Sequence, residues 1–96
     1  MTNVFHMNSS DYERSAEILR ILAHPMRLRI VHQLLMKKSL NVSELQSLLD
    51  LPQSTVSQHL SKLKLNKTVA YNRKGLEVFY RVDDEKVKHI MKILTF

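Results

Sequence analysis

Residues 51–63, LPQSTVSQHLSKL, constrain the fold more than any other stretch of this chain, because they are amphipathic only as a helix. At about 100° per residue, Val56, Leu60 and Leu63 fall on one narrow stripe while Ser54, Gln58, Ser61 and Lys62 point the opposite way. One face can pack and the other is free to read. The free face offers hydroxyls, an amide and a cation but no carboxylate, which suits phosphates and base edges: Gln pairs bidentately with adenine, and Ser pairs with several bases. An ordinary solvated helix face would look the same in isolation, so the flanking sequence has to decide.

Just upstream, Asn41 with Glu44 three residues later predicts the N-cap of a short helix whose apolar positions are Val42, Leu45, Leu48 and Leu49. Asp50 tolerates the left-handed conformation of a tight turn, and Leu51-Pro52 leads into the next helix. Two short helices joined by a tight turn, the second with a polar outward face, have the form of a helix-turn-helix. Further upstream, Ser10-x-x-Glu13 reads as a capping box opening a helix with Tyr12, Ala16, Leu19, Leu22 and Ala23 at helical spacing. That helix is expected to end near His24, since Pro25 disfavours a helical residue before it and is itself suited to open the next helix. Leu28, Val31, Leu34 and Leu35 give the second helix its buried stripe, and Lys37 and Lys38 suit its negative end.

After Leu65 the period changes. Leu76, Val78, Tyr80 and Val82 alternate with Glu77, Phe79 and Arg81 as on a strand, and residues 69–72 can form its partner. Between them Arg73-Lys74-Gly75 contains the only glycine, as expected where a hairpin turn needs a positive φ. A hairpin tipped with two cations just after a reading helix is a candidate wing for a phosphate or the minor groove, although exposed turns are commonly basic for no such reason. A last helix is expected from about residue 84 to 94, with Asp83, Asp84 and Glu85 at its start, Lys86, Lys88 and Lys92 further along, and Val87, Ile90, Met91 and Leu94 as its stripe. Together with Val4 and Phe5, the two chain ends carry more apolar surface than a small DNA-reading core needs. A homodimer built from both termini is therefore expected, the alternative being helices that cap a monomer core.

Composition closes off other classes. The 96 residues suffice for one domain, and such small domains often gain from a second subunit. No apolar run reaches the ~20 residues of a membrane span, and MTNVFHMN lacks a basic start, a long apolar core and a cleavage site; a soluble, cytoplasmic chain is expected. The absence of cysteine removes disulfides, thiolate metal sites and thiol switches. A formal charge of +6 suits a nucleic-acid partner, and its placement matters more: no acid lies between Asp50 and Glu77, an interval holding Lys62, Lys64, Lys67, Arg73 and Lys74. One glycine cannot make the usual phosphate-binding loop, and no Ser, His and acid are spaced as a triad, so an enzyme is not expected.

The order of elements and three residue strings together resemble the ArsR family of winged helix-turn-helix repressors, over nearly the whole chain. The strings are Ala23-His24-Pro25-Met26-Arg27-Leu28 at the entry to the second helix, Leu51-Pro52-Gln53-Ser54-Thr55-Val56-Ser57-Gln58-His59-Leu60 at the recognition helix, and Arg73-Lys74-Gly75 with Val78-Phe79-Tyr80 at the wing. The resemblance implies a symmetric dimer with its reading helices in successive major grooves of a pseudo-palindromic operator, about one helical turn apart, repressing by occluding RNA polymerase. It places Gln53, Ser54, Ser57 and Gln58 near bases or phosphates and Arg73 and Lys74 at the wing tip. His59 also matches, but its angle beside Val56 and Leu63 favours a role at the core edge.

Departures from the family bear on its metal switch. The third-helix segment Leu45-Gln46-Ser47-Leu48-Leu49 offers no ligand where relatives often carry a Cys-x-Cys pair, and Lys86 and Lys92 spoil the last-helix ligand spacing, leaving His89 isolated. His6, His24, His32, His59 and His89 are scattered, so neither metal nor cofactor is expected. Asp50 and Asn66 stand where relatives commonly have glycine. The expectation is a mainly α fold with a small β-hairpin, in the order helix-helix-helix-helix-strand-strand-helix. It forms a single winged helix-turn-helix domain over residues 1–96, dimerising through about residues 1–24 and 83–96. Double-stranded DNA is the expected partner, bound through Gln53, Ser54, Thr55, Ser57, Gln58, Ser61, Lys62, Arg73 and Lys74. The competing reading is a winged-helix module that binds an acidic protein.

Overall fold

The computed structural model describes residues 7–95, which form five helices and three short strands: α1 (Ser9–Leu22), α2 (Pro25–Lys37), β1 (Leu40–Asn41), α3 (Val42–Leu49), α4 (Gln53–Leu65), β2 (Ala70–Lys74), β3 (Glu77–Arg81) and α5 (Glu85–Leu94). This is a winged helix-turn-helix. Val4, Phe5 and His6 lie outside the described residues. No described helix is long and apolar enough to cross a membrane.

α4 sits on the core that the other helices build. Val56, Leu60 and Leu63 are buried together with Ile18 and Leu22 of α1, Ile30, Val31 and Leu34 of α2, Leu45 and Leu49 of α3, and Val87 and Met91 of α5. The turn into α4 is as expected. Asp50 adopts φ 53°, ψ 50°, and its N–H donates to the Gln46 carbonyl. α3 is closed at its other end by a reciprocal box, in which the Glu44 N–H donates to Asn41 Oδ1 at 2.8 Å and the Asn41 N–H to Glu44 Oε1 at 3.0 Å.

The start of α1 differs from the expected Ser10/Glu13 box. Asn8 is the cap, its Oδ1 accepting from the Asp11 N–H at 3.0 Å while Asp11 Oδ2 accepts from the Asn8 N–H at 3.1 Å. Asn is at least as good a cap as Ser, and Ser10 instead lies within the helix and donates its hydroxyl to Asn8. The buried stripe of α1 is Ile18 and Leu22, whereas Tyr12 and Leu19 stay exposed. On α3 and α5, Leu48 and Leu94 are likewise exposed. His24 belongs to α2, capping it as Nδ1 accepts from the Met26 N–H at 3.1 Å, with Pro25 in the first turn.

The hairpin is shifted by one register from the expected turn. Lys74 pairs with Glu77, so the loop is Gly75-Leu76, and Arg73 and Lys74 end strand β2 rather than forming the turn. Gly75 has φ +63° and Leu76 does not share a positive φ, the pattern of a two-residue II′ loop with glycine first. Leu76 consequently leaves the expected apolar stripe and is 97% exposed. β1, too short to show periodicity, adds a third strand by pairing Leu40 with Tyr80 and Asn41 with Phe79, giving the sheet order β1-β3-β2. At the end of α4, Asn66 keeps a helical backbone and Lys67 takes the left-handed position at φ 65°. Asn66 is held by its bonds instead: Arg14 of α1 donates to its main-chain oxygen at 2.6 Å and its Oδ1 at 3.2 Å, and the buried Thr68 donates to the same Oδ1 at 2.8 Å.

Candidate nucleic-acid interface

With Val56, Leu60 and Leu63 buried, α4 turns Gln53, Ser54, Gln58, Ser61 and Lys62 fully outward and leaves Thr55 and Ser57 half-buried at the edges. The Ser61 hydroxyl donates to the Ser57 carbonyl at 2.9 Å, so towards a ligand Ser61 is left as an acceptor. Pro52 caps the helix without any side-chain bond, so the first N–H groups and the positive end of the dipole are available to a phosphate. An acid-free polar face, an uncapped N-terminus and Lys62 together make a surface fitted to a polyanion.

The wing supplies the second part. Arg73 and Lys74 are exposed near the hairpin tip, and Lys74 Nζ sits 5.4 Å from the Phe79 ring centre. A contact that the sequence did not reveal joins the wing to α4: Lys64 Nζ lies 4.6 Å over the ring of Tyr71 on β2, and that ring lies 6.2 Å from Tyr80 on β3. Cation–π contacts at exposed sites are worth about 0.5–1 kcal/mol, enough to bias where the wing stands. A helical lysine and a strand aromatic share no sequence period, so nothing in the spacing signals the pair.

On the other flank of α4, His59 packs at the core edge as its helical angle suggests. Its ring is 4.7 Å from that of His24, and its Nδ1 is buried without a hydrogen-bond partner among the described residues. Burial, and then the neighbouring His24, Arg27 and Lys62 charges, hold its pKa below the ordinary 6.5. The histidines do not gather otherwise: among the described residues no group of three or more His, Cys, Asp or Glu is placed to hold a metal ion. At the far end of the domain Asp84 caps α5, accepting from the N–H groups of Lys86 at 2.8 Å and Val87 at 3.3 Å. Burial alone would raise its carboxyl, but the Val87 N–H, the Arg14 guanidinium and the Lys86 N–H outweigh that and hold it below the usual carboxylate value.

Comparison with known proteins agrees with this geometry. A model described as a helix-turn-helix domain matches residues 22–66, the span from the end of α1 through α4. The chain is 50% identical over 83 residues to the transcriptional repressor PagR of Bacillus anthracis, covering 86% of this chain and 83% of that protein. The crystal structure of PagR matches with a TM-score of 0.86 at 47% identity, over 91% of this chain and 99% of the other. The repressor SmtB of Mycobacterium tuberculosis is 43% identical over 82% of this chain, which spans 58% of SmtB. The structure of HlyU from Vibrio cholerae, a protein named as a transcriptional activator, matches with a TM-score of 0.84 at 32% identity, over 91% and 94% of the two chains.

Proposed function

We propose, since the chain belongs to the ArsR family of winged-helix transcriptional regulators, that it is a transcriptional repressor that reads double-stranded DNA with α4 and steadies itself with the wing. The observation that carries this is the acid-free face of Gln53, Ser54, Gln58, Ser61 and Lys62 standing on the buried stripe Val56, Leu60 and Leu63. Gln58 and Ser54 take base edges, Gln53, Thr55, Ser57 and Ser61 share contacts between bases and backbone, and Lys62, Arg73 and Lys74 take phosphates.

The working unit is a homodimer on a pseudo-palindromic operator. Its support is the apolar surface left at the two ends of the chain: Tyr12 and Leu19 of α1 are 61% and 58% exposed, and Ile93 and Leu94 of α5 are 76% and 58% exposed. Repression by occluding the polymerase follows from operator occupancy, in the cytoplasm where a DNA target would be met. No metal effector is invoked, because the segment Leu45–Leu49 of the third helix offers no ligand and Lys86 and Lys92 interrupt the ligand spacing around His89 on the last helix. The acidic-protein alternative draws no separate support from the geometry.

The test is a titration of promoter DNA from upstream of the protein's own gene, at several salt concentrations and against scrambled competitor. Specific repression requires preference for the cognate fragment and a salt slope rising by about one unit per phosphate contact. Equal affinity for scrambled DNA would refute operator recognition, and absence of binding at low salt would favour the protein-partner reading.

A further inference from the structure

Lys62 borders two surfaces. One is the outward face of α4; the other is a cleft of about 540 Å³ between α1, α2 and α4, walled by Arg20 and Ile21, by Arg27, and by Lys62 and Leu65. That volume falls in the range of small-molecule sites, about 300–1,000 Å³. The cleft carries an excess of positive charge, with Arg20, Arg27 and Lys62 against Glu17. Its carboxylate, Glu17, is 3.7 Å from Arg14, and among the described residues no carboxylate pairs with Arg20, Arg27 or Lys62. Arg27 is fixed in place, its Nε donating to the Ile21 carbonyl at 2.5 Å, which leaves the terminal guanidinium nitrogens without acceptors among the described residues. The field of Arg27 and Lys62 reaches beyond the cleft wall, since both add to the depression of the His59 pKa.

The walls are also partly apolar. Ile21 is packed against the core while Leu65 is 85% exposed on an otherwise polar edge. Guanidinium forks match carboxylate and phosphate oxygens, and the leucine and isoleucine match a compact apolar group. At about 100° per residue, Ile21 leaves α1 roughly half a turn away from Tyr12 and Leu19, so the cleft and the proposed dimer face occupy different flanks.

We propose that this cleft is an effector site for a small organic anion, a carboxylate or phosphate monoester bearing a compact apolar group, whose occupation weakens DNA binding by engaging Lys62. The effect on DNA rests on the DNA-reading function above; the site itself does not. A ligand there places negative charge beside the reading helix and withdraws one of its cations from the DNA backbone.

The experiment titrates the full chain, free of DNA and at constant ionic strength, with phenyl phosphate, benzoate and inorganic phosphate, following the amides of Arg20, Ile21, Arg27 and Lys62 and the ring of His59 by NMR. The expected result is saturable shifts centred on the cleft, phenyl phosphate bound about tenfold more tightly than inorganic phosphate, a raised His59 pKa, and about tenfold weaker binding in Arg20→Gln. The Arg20 side chain makes no hydrogen bond among the described residues, so this variant removes charge without removing a support. Shifts spread over surface lysines such as Lys37 and Lys38, or an unchanged Arg20→Gln, would mean an adventitious ion only and would overturn the site. Equal binding of phenyl and inorganic phosphate would overturn the organic ligand class. In a second arm, phenyl phosphate should weaken operator binding by the wild type and not by Arg20→Gln; a filled cleft with unchanged DNA affinity would overturn the release. A chain that binds no operator even without added anion would refute the DNA reading and with it the release, while the DNA-free titration would still decide the cleft.

Discussion

The imidazole rings of His24 and His59 lie 4.7 Å apart at a mutual tilt of 60°, joining the cap of α2 to the flank of α4. His24 Nδ1 accepts from the Met26 N–H, while His59 Nδ1 is buried without a hydrogen-bond partner among the described residues. Because burial, then His24, Arg27 and Lys62, depress the His59 pKa, the unfolded chain takes up this proton at a higher pH than the folded one. Stability is then full above the ordinary value near 6.5 and declines as pH falls below it, until the folded pKa is passed. Urea midpoints measured between pH 5 and 8 should show this decline in the wild type and a shallower one in His59→Phe; equal slopes would remove His59 as its source.

Gln58→Ala should cost roughly 1–3 kcal/mol of discrimination at one base position, because it deletes the proposed bidentate partner of a base from an exposed site. Lys74→Ala should weaken every sequence alike and lower the salt slope by about one unit. Binding to a panel of single-base operator variants separates the two, and an unaltered preference in Gln58→Ala would reassign the reading face.

Arg14 is a structural hub: besides Asn66 it reaches the Lys67 carbonyl at 3.4 Å and Asp84 Oδ2 at 3.3 Å, drawing α1, the end of α4 and the start of α5 together. Arg14→Met should destabilise by about 1.5–3 kcal/mol, and Asp84→Ala by about 0.5–2 kcal/mol through the lost cap. Since they share a contact, the double variant should lose less than the sum, by equilibrium denaturation. The Asp84 contribution is present above the ordinary carboxylate pKa of 3.8 and is lost as pH falls through its lowered folded value.

Among the described residues, three that are not glycine carry positive φ: Lys38 at 73°, Asp50 at 53° and Lys67 at 65°. Lys38 centres a γ-turn in which the Ser39 N–H donates to the Lys37 carbonyl at 2.9 Å, a strained form for a residue with a Cβ. Lys38→Gly and Lys67→Gly should each stabilise by up to about 1 kcal/mol. At Gly75, an added Cβ would meet no atom within 4 Å, so Gly75→Ala should cost only the backbone penalty of about 1–2 kcal/mol. Thermal midpoints of the single variants check all three.

Leu19→Asp and Ile93→Asp place charge on exposed apolar positions that the monomer core does not use. Each should yield a monomer by sedimentation while keeping the helical signal of the wild type. Retained dimers would move the interface elsewhere, and loss of helix would show that these side chains support the monomer.

The reading helix was legible because its stripe, Val56, Leu60 and Leu63, has one possible period and one possible partner surface. Asp50 and the Asn41–Glu44 box were legible because their chemistry is local. α1 was less so: a buried face and an exposed apolar face use the same residue types, so Tyr12 and Leu19 share the helical spacing of the buried Leu22 although they stay exposed. The hairpin register escaped because Gly75 satisfies a positive φ in either loop, and only the pairing of Lys74 with Glu77 decides between them. The pairs Lys64–Tyr71 and His24–His59, and the Arg14 hub, join residues with no sequence relation; they exist only once the helices have packed.

The two-residue strand β1 has a mechanical consequence. Asn41 both opens α3 and pairs with Phe79 of the wing, beside the pairing of Leu40 with Tyr80, so the helix-turn-helix and the hairpin are tied directly to each other. Lys64 over Tyr71 braces the same hairpin from the end of α4. Held at both points, the wing and the reading helix act as the two jaws of a caliper whose gap is set by the fold. On the proposed mode of binding, an operator whose groove is too wide or too narrow for that gap would have to deform to be held, and sequence preference would extend to base pairs that no side chain touches.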